Sequence, residues 1–104
     1  MTNKNYIRGY NIERKALKEL EKEGFFSIRS AGSHSKFDIV AINKNEIRLI
    51  QLKSVRTKYY SFKKEIEELK KFNNYPKNTT IELWVWLSRI KGIRKAQWQK
   101  TIVK

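Results

Sequence analysis

The sequence predicts an α/β fold: a single domain spanning residues 1–104, with a central mixed five-stranded sheet flanked by helices in the order α-β-β-β-α-β-β. Three observations predict it. A chain of 104 residues can bury one core and is too short for two. Two segments repeat their apolar residues at helical spacing. Between and after them lie short β-branched or aromatic segments separated by Gly, Asn and Ser.

The first helix is expected over residues 6–23, where Ile12, Ala16, Leu17 and Leu20 recur among charged neighbours and Gly24 is placed to cap the C-terminus. A short strand over 25–29 then runs into the polar stretch Ser30 to Ser35. Strands over 37–42 and 47–53, joined by Asn43, Lys44, Asn45 and Glu46, read as a hairpin. After a basic stretch, Phe62, Ile66, Leu69 and Phe72 mark a second amphipathic helix that Asn73 and Asn74 should end. Residues 80–87 carry Ile81, Leu83, Val85 and Leu87 on one pleat face and Trp84 and Trp86 on the other, the pattern of a central strand. A last strand is expected over 93–98. Together these make a mixed sheet between helices.

Charge narrows the function. Twenty-four Lys and Arg against ten Asp and Glu give a formal charge of +14, which repels itself unless a polyanion is the partner, so nucleic acid is the first expectation. Hydrophobic residues at 39% and aromatics at 12% are enough for a packed core. With no cysteine and a single histidine, His34, disulfide scaffolds, zinc ribbons, iron–sulfur clusters and thiol chemistry are excluded, and any metal must rest on oxygen ligands. No apolar run is long enough to span a bilayer, and the start MTNKNYIRGY has no hydrophobic signal core. A soluble, cytoplasmic protein with no membrane partner is therefore expected.

The hairpin places side chains. If Ile42 faces Ile47, then Val40 faces Leu49 and Asp38 faces Gln51, with Lys53 projecting on the same face two residues on. Asp38 is the only aspartate of the chain and stands between Phe37 and Ile39, where an ionised carboxylate needs compensation. On helix one, Glu13 shares the inward stripe with Ala16, Leu17 and Leu20. Two readings fit. In one, Asp38 and Lys53 form a partly buried ion pair while Glu13 reaches water. In the other, two acids, an amide and an ammonium converge on a site for Mg²⁺, or Mn²⁺, beside a phosphate.

The spelling RGYNIERKAL (8–17), GFFSIRSAGSHS (24–35), FDIVAI (37–42) and LIQLKS (49–54) resembles the archaeal Holliday junction resolvase family of the PD-(D/E)xK nuclease superfamily. The resemblance implies a restriction-endonuclease-like fold. It also implies metal-dependent endonuclease activity on branched DNA, in recombination and repair, by a homodimer. By the same resemblance Asp38 matches the metal-binding acid, Gln51 and Lys53 the (D/E)xK pair, and Glu13 the glutamate of helix one. Arg8 matches a basic residue at the DNA-facing start of that helix, and Ser33 a serine near the scissile phosphate. The family position usually filled by Glu or Asp holds Gln51 here, an oxygen donor without charge.

On that reading Mg²⁺ would rest on Asp38, Gln51, the Leu52 carbonyl and Glu13, with Lys53 orienting water or stabilising developing charge. DNA phosphates would meet Arg8, Arg29, Ser33, His34, Arg56 and Lys58, together with Lys63 and Lys64. Tyr59, Tyr60, Phe62 and the tryptophan-bearing strand are candidate dimer surfaces.

Overall fold

The computed structural model describes residues 4–30, 36–56, 61–88 and 96–104, with the backbone alone for 4–8. Helix α1, Lys4–Lys22, buries Ile12, Ala16 and Leu20, spaced one turn apart along a single stripe. Its end is fixed by Gly24, whose φ of +89° is the left-handed conformation that glycine adopts freely. The Gly24 N–H donates to the Glu21 carbonyl and the Phe25 N–H to the Leu20 carbonyl, both at 3.0 Å, closing the helix in the double-bonded glycine cap.

The strands are β1 (Phe26–Arg29), β2 (Ile39–Ile42), β3 (Ile47–Val55), β4 (Thr79–Leu87) and β5 (Gln97–Ile102), with α2 (Lys63–Lys70) between β3 and β4. They lie in the order β1-β2-β3-β4-β5 in one sheet. The β3–β4 pair is parallel and the rest are antiparallel. The hairpin register is the expected one, with Ile42 opposite Ile47 and Val40 opposite Leu49. Its loop is tied by the Asn43 side chain, whose Oδ1 accepts the N–H groups of Asn45 and Glu46 at 2.8 Å.

A core lies on each face of the sheet. On the α1 side, Ala16 and Leu20 pack with Ile39, Ala41, Ile50 and Trp84. On the α2 side, Leu69 packs with Phe37, Ile81, Leu83, Val85 and Leu87. Strand β4 is buried on both faces, as its alternation predicts. At its centre Glu82 is buried on the α1 side. It accepts Arg48 Nε at 2.8 Å, Arg48 Nη2 at 2.9 Å, Thr80 Oγ1 at 2.6 Å and Trp84 Nε1 at 2.9 Å. No helix among the described residues is long and apolar enough to cross a membrane.

Three expectations shift. The last strand runs over Gln97–Ile102, beyond the expected end at 98, because Trp98 stacks edge-on to Trp86 and Trp84 and Lys100 lies over Trp84 at 4.3 Å; residues 93–95 of the expected span fall outside the described residues. A lysine doing an apolar residue's covering hides the strand period. The tryptophan face is not an open dimer surface, since Trp84 is fully buried and Trp86 is covered by Trp98 and by Lys15 of α1. Phe62 packs against the α2-side core, and Tyr59 and Tyr60 fall outside the described residues.

Candidate functional site

A further departure from expectation makes the site. Strand β2 begins at Ile39, and the Asp38 N–H donates to the Ile50 carbonyl at 2.8 Å instead of continuing the ladder toward Gln51. Phe37 joins the α2-side core while Ile39 joins the α1-side core, although residues two apart share a face in a regular strand. The chain therefore bends at Asp38, as strands do where a side chain is re-aimed near a site. The Asp38 carboxylate turns to the α1 side and accepts the Leu52 N–H at 2.7 Å. Direct opposition to Gln51, expected from an unbroken ladder, is not what forms.

The bend opens a cleft of about 320 Å³ lined by Gly9, Ile12 and Glu13 of α1, by Asp38, and by Leu52, Lys53 and Ser54 of β3. Four expected residues, Glu13, Asp38, Leu52 and Lys53, thus meet. Burial pushes the Asp38 carboxyl above its ordinary range; the Leu52 N–H opposes this, Glu13 adds repulsion and Lys53 attraction, and the net shift is upward. Glu13 reaches out of the cleft to Arg29, with Nη1–Oε2 at 2.8 Å. The Tyr10 ring lies within 5.7 Å of the guanidinium carbons of Arg14 and Arg29. Arg29, expected on DNA, is therefore anchored to the rim of the cleft.

Gln51 lines a neighbouring cleft of about 200 Å³ on the α2 side with Lys36, Lys64, Glu65, Glu68 and Leu69. Arg56 is exposed one residue beyond β3. The backbone of Arg8 lies in α1 next to Gly9, and its side chain is outside the described residues, as are Ser33, His34 and Lys58. Reasoning from the sequence missed Gly9 and Ser54. Ser54 follows Leu52 on the same pleat face, but a regular ladder assigns that face to the core and not to Asp38.

Among the described residues no three carboxylate or histidine side chains gather. A cation in the α1-side cleft would rest on the two carboxylates of Asp38 and Glu13 with backbone or water oxygens, a donor set that suits Mg²⁺ better than an all-protein cage does. The donors fit the ion chemically, because Asp38 and Glu13 repel one another across the cleft and a cation relieves that repulsion.

Comparison with known proteins agrees with the geometry. The family model described as archaeal Holliday junction resolvase (Hjc) matches residues 4–97. The crossover junction endodeoxyribonuclease Hjc of Methanocaldococcus jannaschii is 44% identical over 69 residues, 65% of this chain and 51% of that protein. The chain thus spans about half the length of this curated relative. The structure of Archaeoglobus fulgidus Hjc, a Holliday junction resolvase from an archaeal hyperthermophile, matches with a TM-score of 0.63 at 31% identity, over 92% of this chain and 73% of that one. The family match takes in α1 with Glu13, the bend with Asp38 and the end of β3 with Lys53, so the chain belongs to the archaeal Holliday junction resolvase family.

Proposed function

We propose that this chain is a structure-selective endonuclease that resolves four-way DNA junctions by Mg²⁺-dependent phosphodiester hydrolysis, acting as a homodimer. The observation that carries the reading is the Asp38 carboxylate turned by a chain bend into a cleft that it shares with Glu13 and Lys53. It sits on a chain of formal charge +14. Asp38 and Glu13 would hold the ion, with water completing its shell. Lys53 sets its positive charge against the oxygens of the phosphate. Bound there, Mg²⁺ or Mn²⁺ supplies Lewis acidity and lowers the pKa of a bound water. DNA is held mainly through phosphates, by Arg14, Lys15 and Lys18 along the exposed side of α1 and by Arg56, so junction affinity falls steeply with salt.

Two cuts across a junction need two sites related by a two-fold axis. The surface we assign to that pairing is the outer end of the sheet. Phe26 and Ile28 of β1 are 71% and 54% exposed, and Ile42, opposite Phe26, is 39% exposed. A second copy covers such an uncharged patch where two basic chains otherwise repel. Replacing Phe26 with Glu is expected to give a monomer by sedimentation.

The deciding experiment compares a four-way junction with the same sequences as linear duplex, with Mg²⁺ and with chelator. Mg²⁺-dependent cleavage confined to the junction supports the reading. Equal cleavage of linear DNA points to another nuclease specificity, and binding without cleavage points to a DNA-binding module that has lost its chemistry.

A further inference from the structure

The inward stripe of α1 ends on a bare position. Leu20, Ala16 and Ile12 are buried, whereas Gly9, three residues before Ile12 on the same face, is exposed and lines the α1-side cleft with Ile12 and Glu13. Nothing within the described residues calls for glycine there. The backbone at Gly9 is helical, unlike that of Gly24 with its positive φ. A methyl group added at its Cα would meet no heavy atom within 4 Å, so no neighbouring side chain presses on the position. Proline aside, glycine is also the residue that weakens a helix interior most. The helix thus carries a residue that it does not favour, one turn from Glu13, and the space beside it stays open. Such a glycine marks a place where a ligand comes close to backbone.

The surroundings of the cleft indicate which ligand. Lys53 lines it, and beside its rim Tyr10, the residue after Gly9, lies 5.7 Å from the guanidinium carbon of Arg14 and 5.6 Å from that of Arg29. Positive groups in the cleft and on its rim fit the backbone of a polyanion. We infer that Gly9 is where the DNA strand to be cut passes over α1, its sugar–phosphate backbone lying against the bare Cα so that one phosphate reaches Lys53 and the pair Asp38 and Glu13. Arg14 and Arg29, held beside the Tyr10 ring, meet the phosphates next to it. Gly9 is a positioning residue: it brings no group to the reaction, and its contribution is a closeness of approach that a side chain would deny. The cut itself depends on the nuclease reading above, but the passage of the strand over Gly9 can be measured without it.

The test compares the whole wild-type chain with Gly9→Ala and Gly9→Leu, both of which favour the helix. Melting temperature, Mn²⁺ affinity without DNA, junction affinity in chelator and single-turnover junction cleavage with Mg²⁺ are read for each. Gly9→Ala should raise the melting temperature by about 2–8 °C. It should leave Mn²⁺ affinity unchanged, because neither carboxylate is touched. Cleavage should fall about ten-fold with Gly9→Ala and on the order of 10²-fold with Gly9→Leu, since a reacting phosphate displaced by a fraction of a bond length loses its alignment. Junction affinity should fall less than the rate, because the phosphate contacts along the exposed side of α1 remain. Stability gained while cleavage is lost in step with side-chain size is a pattern that a purely structural glycine does not give. Should Gly9→Leu fail to fold by circular dichroism, Gly9→Ala decides alone.

Several results overturn the inference. One is cleavage and junction affinity equal to wild type in both variants. Another is a lower melting temperature for Gly9→Ala, which would make the glycine a requirement of the fold. A third is loss of Mn²⁺ affinity with Gly9→Ala, which would place the effect at the ion and not at the strand. If the wild type binds the junction without cutting it, the nuclease reading fails and junction affinity decides. A loss of about ten-fold with Gly9→Leu then keeps the strand over Gly9, and an unchanged affinity removes it.

Discussion

The α1 side of the sheet holds two carboxylates, the buried Glu82 and the half-buried Asp38, that the fold treats in opposite ways. Glu82 accepts four hydrogen bonds from three side chains and pairs with Arg48, which is itself pinned by Glu23 at 3.0 Å and stacked near Phe25 and Trp84. Burial pushes the Glu82 carboxyl up, but the bonds from Arg48, Thr80 and Trp84 outweigh it and hold the group below the usual carboxylate range. Asp38 receives one backbone N–H, faces a second carboxylate, and is held above that range. A satisfied charge stabilises the fold; an undersatisfied one is poised to bind a cation.

The difference is sharpest on truncation. Glu82→Ala leaves the Arg48 guanidinium without its main partner and should destabilise the protein by about 3–5 kcal/mol in denaturant unfolding. Replacing Arg48 and Glu82 together with apolar residues should recover much of that loss. Asp38→Asn should do the reverse to stability, raising it by about 0.5–2 kcal/mol in metal-free buffer by removing a charge that repels Glu13. The same substitution should lower junction cleavage by on the order of 10²–10³-fold in single-turnover assays. An Asp38→Asn variant that is less stable and still active would erase the contrast.

Metal and pH give smaller effects. Mg²⁺ at a hundred times its dissociation constant should stabilise the wild type by about 2.7 kcal/mol in thermal unfolding. Asp38→Asn should abolish most of that gain.

The acid titration should show two slopes of opposite sign. Glu82, with its folded pKa lowered, contributes stability that is present above its unfolded value of 4.5 and lost as pH falls through the lower folded value. Asp38, with its folded pKa raised, contributes stability that is present below its unfolded value of 3.8 and lost as pH climbs through the raised one. Stability curves of Asp38→Asn and Glu82→Gln against pH separate the two. Smallest of all, breaking the half-exposed Arg29–Glu13 pair by Arg29→Met should change stability by about 0–1 kcal/mol while weakening DNA binding.

Much of this was legible in the sequence, for identifiable reasons. The stop of α1 at Gly24 and the pairing of Ile42 with Ile47 are set by residues close in the chain, where capping and turn rules apply. The convergence of Glu13, Asp38 and Lys53 was also readable, although by a regular ladder that does not form. The bend at Asp38 depends on Phe37 finding the α2-side core, a long-range choice that no local pattern announces. The Arg48–Glu82 pair was invisible for a related cause. The two residues sit 34 positions apart on parallel strands joined through α2, so no short turn sets their register.

Because Asp38 is the only aspartate in the chain, carbon-13 labelling of aspartate gives a single side-chain carboxyl resonance. Its titration reads the cleft directly. The resonance should titrate above the usual aspartate range without metal and shift to lower pH when Mg²⁺ is added. A midpoint at or below the usual range, unmoved by Mg²⁺, would mean that Asp38 is an ordinary paired carboxylate and that no catalytic cation sits between α1 and β3.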